Sequence, residues 1–223
     1  MQRVIAGQKI DYTVAMRLTF RPAIWHDLDT IIDLIVQLYH AELPGALRGP
    51  LDGQRQLIRH IVERGGIEGL RGRYVIANEQ GVVLGSASIR TATDPEMPTL
   101  PAGTVKASIN ALGVGGTLLL FGTLLRATLL PELRIETGHA YIHSVVVGKE
   151  HRGSGIGSEL MNGIEAIARE RGLQHSTLRV VIGNDGARRL YERLGYKVVD
   201  RSPPWMDWIT FPTELMTKPL LGR

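Results

Sequence analysis

The stretch from Tyr141 to Gly157 constrains this chain more than any other. An apolar run (Ile142, Val145, Val146, Val147) leads into Arg152-Gly153-Ser154-Gly155-Ile156-Gly157 and then into residues at helical spacing. That order is a strand, a glycine turn and a helix start. The glycines permit left-handed backbone and close approach of a ligand, and the first amides of a helix have no acceptor within it. With the helix dipole and Arg152 added, such a turn suits a pyrophosphate. A tight turn that needs glycine only for its own geometry is the competing reading. Other phosphate binders fit less well. A dinucleotide fingerprint needs a different glycine spacing and an acidic residue ending the next strand, which here closes near Ile182-Gly183. No Gly-Lys-Ser or Gly-Lys-Thr follows the turn.

Downstream, Asn184-Asp185-Gly186-Ala187 leads to Leu190-Tyr191-Glu192-Arg193-Leu194-Gly195-Tyr196. Together with the glycine turn, this resembles the GNAT superfamily of acyl-CoA N-acyltransferases. Arg152, Gly155 and Gly157 carry the match to that family's pyrophosphate motif. Asn184, Tyr191, Gly195 and Tyr196 carry the match to its second motif, and the likeness runs from about Ala140 to Asp200. The resemblance implies an α/β fold with a GNAT-like mixed central sheet flanked by helices. It also implies acetyl-CoA as co-substrate and an amine as acceptor.

Composition narrows the chemistry. At 223 residues the chain can bury one substantial core. It has no cysteine, which removes disulfides, thiolate metal sites and a cysteine acyl-enzyme, and fits a cytoplasmic protein. An acyl group must then pass directly from thioester to acceptor in a ternary complex. The net charge of +4 is thinly spread, with no basic run dense enough for nucleic acid. The seven histidines form no zinc constellation, so no metal is expected.

Along the chain, Met16-Arg17-Leu18-Thr19-Phe20-Arg21 reads as the opening of a first strand. Residues 1–15 are then a leader upstream of a natural start at Met16, and 16–223 one domain with an insertion at about 92–135. Leu28, Ile31, Ile32, Ile35 and Leu38 predict an amphipathic helix, and Leu57, Ile58, Ile61 and Val62 a second one ending at Gly65-Gly66. Tyr74 to Ala77 and Val82 to Ser88 flank a hairpin turn, and Pro95, Pro98 and Pro101 mark a loop. Between Lys106 and Arg126, Ala107 to Leu125 carries no charge. A membrane span is one reading by length. Gly113, Gly115, Gly116 and Gly122, and the position inside a soluble-looking domain, favour a buried or partner-facing helix. Leu118, Phe121 and Leu125 are expected along one face, against a second copy of the chain or over an apolar acceptor pocket. After Pro131 come the central strand, a helix over Ser154 to Arg171, a strand over Leu178 to Ile182 and a short helix over Asp185 to Leu194. Strands opening at Tyr196 and closing over Ile209 to Pro219 follow.

For the cradle, the resemblance implies that backbone groups of Val145 and Val147 pair with the pantetheine arm. The amides of Arg152, Gly153, Ser154, Gly155, Ile156, Gly157 and Ser158 would take the pyrophosphate, with Asn184 as helix cap and pantetheine partner. An amide at a bulge near Val146 would meet the thioester oxygen. In the family, a phenol at the place of Tyr191 often protonates the departing thiolate; a core aromatic at helical spacing is its plain alternative. By the period of two, His139, Tyr141, His143 and Val145 share a face of the central strand. His143 is the candidate base, with a buried, satisfied histidine as the alternative. The carboxylates nearest that strand in sequence are Glu136 and Glu150. A non-catalytic acyl-CoA-binding module of the same fold is the rival to an N-acetyltransferase.

Overall fold

The computed structural model describes residues 17–65, 70–94, 100–127, 134–207 and 211–220. The leader with Met16, and Gly66, Pro95, Pro98, Pro131 and Ile209, lie outside the described residues.

Strand β1 (Thr19–Pro22) leads into α1 (Leu28–Glu42) through a short turn held by charge. The Asp27 carboxylate accepts from Arg21 Nη1 and Nη2 (2.7 and 2.8 Å) and from the Ile24 amide (3.0 Å). That pairing, Arg21 foremost, holds the buried Asp27 carboxyl below the usual range. Helix α2 (Leu51–Arg64) follows, then the hairpin β2 (Arg73–Ala77) and β3 (Val83–Arg90). Its turn forms because Asn78 Oδ1 accepts from the amides of Gln80 and Val82 while Gly81 takes φ +79°. After α3 (Thr104–Ala127) come β4 (His139–Val147), α4 (Ile156–Glu170), β5 (His175–Val181), α5 (Asp185–Arg193), β6 (Lys197–Arg201) and β7 (Thr213–Pro219).

The seven strands make one sheet in the order β1-β2-β3-β4-β5-β7-β6. Among the described residues only β4 and β5 pair in parallel, so the sheet is mixed, with helices on both faces. On one face Leu160, Met161 and Ile164 of α4 pack on Ile76, Ile142, Leu178 and Met216. On the other, Ile31, Ile32 and Ile35 of α1 with Leu57 and Ile58 of α2 cover Val75, Val83 and Val146. Each such side chain, fully buried, stabilises the fold by about 1.5–3 kcal/mol.

The central strand is not regular. Ser86 pairs with Val146 and Ser88 with His143, so β4 carries an additional residue against β3, and Ser144 takes φ +51°. A bulge of this kind shifts the side-chain alternation by one. Ala140 and Ile142, then Val145 and Val147, pack on the α4 side, whereas Val146 packs on the α1 side. The period-of-two expectation that grouped Val145 with His139, Tyr141 and His143 is therefore corrected. Val145 faces the other way because the bulge lies between it and His143.

The uncharged stretch is helical with a break: Gly113 (φ 72°, ψ 174°) interrupts α3. Thr104–Arg126 is long and apolar enough to cross a membrane, with mean hydropathy 1.6. It packs on α2, and so closely that a Cβ built at Gly53 would run into the carbonyl of Ala111. Ser108 and Thr117 face inward and donate to the carbonyls of Thr104 and Gly113 (2.8 Å each). Leu118 and Leu125 face outward, 69% and 67% exposed. Phe121 instead leans on the α1–α2 core, so the three do not form the single outward face expected from spacing.

Candidate active site

Strands β4 and β5 pair only from His139–His175 to Ile142–Leu178 and then separate. The gap opens into a cleft of about 670 Å³ between the second half of β4, the glycine turn and α5, with Leu38 and Ala41 of α1 at one wall. The Gly148 amide donates to Leu84 O and the Val146 carbonyl points at Gly85 of β3. Antiparallel alternation then turns the backbone groups of Val145 and Val147 toward the open side. Arg152 Nε reaches one of them, donating to Val147 O (3.2 Å). The amides on either side of Val146, those of Val145 and Val147, thus face the gap.

The glycine turn has the geometry its sequence requires. Gly153 and Gly155 take φ +79° and +88°, and Gly155 caps α4. The amides of Ser158 and Glu159 already donate to Gly155 O (2.9 and 3.2 Å). The amides ahead of Ser158 are the ones a helix start leaves without an acceptor, and Ser158 lines the cleft beside them. The Ser154 hydroxyl donates to His151 O (2.6 Å) and the Ile156 side chain is buried in the core, so neither side chain lines the cleft. Gly157 lies against Leu190, where a Cβ would come within 3.1 Å of the leucine side chain. Asn184 Oδ1 caps α5 by accepting from the Ala187 amide (3.3 Å), and Asn184 also lines the cleft.

Two cations of the cleft were missed by the sequence reading, Arg189 and Arg193. They stand four residues apart on α5, hence on one helix face, which is the signal that could have found them.

Tyr191 lines the cleft with 6% of its surface exposed. Burial, then the charge of Glu42 and the neighbouring Tyr141 phenol, push its pKa well above the ordinary phenol range, so it is protonated at neutral pH. Glu42, the last residue of α1, was also missed. Burial raises its pKa to about 7, where a carboxylate becomes an effective proton acceptor near neutrality. Its charge is felt by both Tyr191 and Tyr141, so the three form one electrostatic group at the β4–α5 side of the sheet.

His143 stacks on Tyr141 (5.7 Å between ring centroids), and its Nδ1 lies 3.2 Å from Ser144 Oγ. Burial, with Arg73 and Arg90 adding, lowers its pKa to about 4. It is neutral at pH 7, and its hold on a proton is weak. Glu136 lies 3.5 Å from His139 and Glu150 is 3.8 Å from Lys149; neither lines the cleft.

Comparison with known proteins agrees with this geometry. Residues 35–196 match the acetyltransferase (GNAT) family. Over 61 residues the chain is 41% identical to the N-alpha-acetyltransferase MAK3 of Arabidopsis thaliana, covering 27% of this chain and 32% of that protein. Over 95 residues it is 26% identical to the chloroplastic GCN5-related N-acetyltransferase 7 of the same plant, covering 37% and 35%. The matches span about a third of the length of these relatives. Among solved structures, an N-acetyltransferase from Staphylococcus aureus Mu50 superposes with a TM-score of 0.57 at 16% identity, covering 90% of this chain and 100% of that one. A putative acetyltransferase from Salmonella typhimurium, solved with its cofactor acetyl-CoA, gives 0.51 at 16% identity, covering 92% and 95%. Glycine turn, bulged central strand, splayed parallel pair and the match across 35–196 lead to one statement: the chain belongs to the GNAT family of acetyltransferases.

Proposed function

We propose that this protein transfers an acetyl group from acetyl-CoA to an amine, by direct attack within a ternary complex. The observation that carries the proposal is the pairing of one cleft with two protonation states. A cleft lined by the glycine turn, by arginines and by the buried, protonated Tyr191 lies within electrostatic reach of Glu42, which titrates near 7.

The pyrophosphate would sit on the amides from Gly153 to Gly157, with Arg152, Arg189 and Arg193 within the same cleft. The pantetheine would run along the open backbone of Val147 and Val145, as a short extra strand pairs with a free edge. This leaves the thioester beside the bulge, where the Val145 amide can donate to its carbonyl oxygen as charge develops there. Glu42 takes one proton from the acceptor ammonium, directly or through water. The freed amine nitrogen then bonds to the carbonyl carbon, the carbon–sulfur bond breaks, Tyr191 gives its proton to the thiolate, and the second proton on the new amide nitrogen passes to the Tyr191 phenolate. Burial raises the pKa of a thiolate in the same space as it does the phenol's, which keeps donor and acceptor matched.

A thermal shift with acetyl-CoA, followed by thiol release with a panel of amines, tests the reading. Stabilisation together with turnover supports it. Stabilisation without turnover on any amine leaves the non-catalytic acyl-CoA-binding module, and the absence of both removes the assignment.

A further inference from the structure

On the sheet face opposite α4, the register brings together an unusual set of cations. Arg73 of β2 pairs with Ser88 of β3, which pairs with His143 of β4. One row along the same face, Arg90 of β3 pairs with Tyr141 of β4, which pairs with Thr177 of β5. Directly opposed residues lie about 5 Å apart and diagonal ones about 7–8 Å, so Arg73, Arg90, His143 and Tyr141 surround the small, buried Ser88, and the buried Ser86 lies one row further along, between Val75 and Val146. All four are partly exposed as residues, with the polar ends of Arg73, Tyr141 and His143 set inward.

Arg73 is out of place as a structural residue. Its Nη1 donates to Ser86 Oγ (3.3 Å), but its Nε is sealed from solvent and without a partner, and no carboxylate pairs with it among the described residues. Burial lowers its pKa to about 10, so it remains a cation at neutral pH. A buried guanidinium without a counter-ion is costly unless something supplies one. The direction in which it leans is informative. By reaching from the Ser88 row to Ser86, it moves toward the row of Val146, since Ser86 pairs with Val146 at the bulge. The guanidinium thus points along a serine floor to where the thioester would lie. Neutral His143 flanks that floor as a hydrogen-bonding group, and Glu42 supplies the opposite charge near Tyr141.

We infer that the acceptor is an amine bearing a carboxylate, of amino-acid type, with the carboxylate on Arg73 beside His143 and Arg90 and the ammonium directed to Glu42. The inference rests on the acetyl transfer proposed above and names its substrate class. A guanidinium forks onto a carboxylate through two parallel hydrogen bonds, and Arg73 has donors to spare.

The test compares amino acids with their amides and with the corresponding decarboxylated amines, using the intact protein, acetyl-CoA and a thiol-release assay. Each charged hydrogen bond lost is expected to cost at least about ten-fold in kcat/KM, so the acids should exceed amides and amines by that factor. Arg73→Gln should erase the preference through KM, leaving the acetyl-CoA thermal shift unchanged, and Arg73→Lys should restore part of it. Acids and amides turned over equally well by the wild-type protein would overturn the carboxylate assignment while leaving acetyl transfer standing. Turnover of no amine despite an acetyl-CoA shift would remove both. The wild-type comparison decides even if the Arg73 variants fail to fold.

Discussion

Glu42, ending α1, and Tyr191, on α5 almost 150 positions later, lie within electrostatic reach, and the carboxylate's charge raises the phenol's pKa. One group titrates near neutrality and the other stays protonated through it, as a base and an acid acting in sequence require. Glu42 accepts a proton only when ionised, so kcat/KM should rise with pH and level off above about 7. Glu42→Gln should remove that limb and lower the plateau by about 10²-fold or more. The same shift bears on stability. Because the folded pKa lies above the ordinary 4.5, ionising Glu42 disfavours the fold progressively between 4.5 and about 7. Glu42→Gln should therefore melt higher than wild type at pH 8, with the gap closing toward pH 4. A flat rate profile shared by both proteins would return the base to another group.

Tyr191→Phe should lower kcat by about 10²-fold with acetyl-CoA affinity nearly unchanged, since the hydroxyl acts only as the thiolate develops. Calorimetric binding beside steady-state kinetics separates the two effects. Equal turnover would make Tyr191 a packing residue of the cluster that includes Tyr196, whose ring centroid is 5.9 Å away.

A Cβ added to Gly155 meets no protein atom within 4 Å, so a side chain there would project into the place proposed for the pyrophosphate. Its φ of +88° adds strain of about 1–2 kcal/mol for an L residue. Gly155→Val should melt somewhat lower on its own and lose most of the acetyl-CoA-induced rise, which for wild type at a hundred-fold excess over Kd corresponds to about 2.7 kcal/mol. Retention of the full ligand shift would count against the cradle.

Gly53 tests the packing of α3. Alanine would raise the intrinsic helix preference of α2 by about 1 kcal/mol, yet its methyl would occupy the space of the Ala111 carbonyl, a backbone atom with little freedom to move. The clash should win, with Gly53→Ala losing about 1–3 kcal/mol in urea unfolding. A gain in midpoint would mean that α3 does not sit on α2 as described.

The sequence by itself determined the elements and the geometry of the glycine turn. The strand, glycine turn and helix from Tyr141 onward are local, since positive φ at Gly153 and Gly155 and the free amides of a helix start are properties of neighbouring residues. The Asn184 cap and the hairpin turn at Asn78 were legible for the same reason. Only the tertiary structure decided which side chains meet around the second half of β4. The bulge at Ser144 reversed the facing of Val145, and a single additional residue in a strand leaves no mark on hydrophobic spacing. Glu42 gained its raised pKa from burial in the folded chain, and its charge acts on Tyr141 and Tyr191, far along the sequence. Arg73 became a sealed cation beside Ser86 only once β2, β3 and β4 were in register. Local conformation is set by short-range sterics and hydrogen bonds, but a pKa and a binding face depend on which distant groups exclude water together.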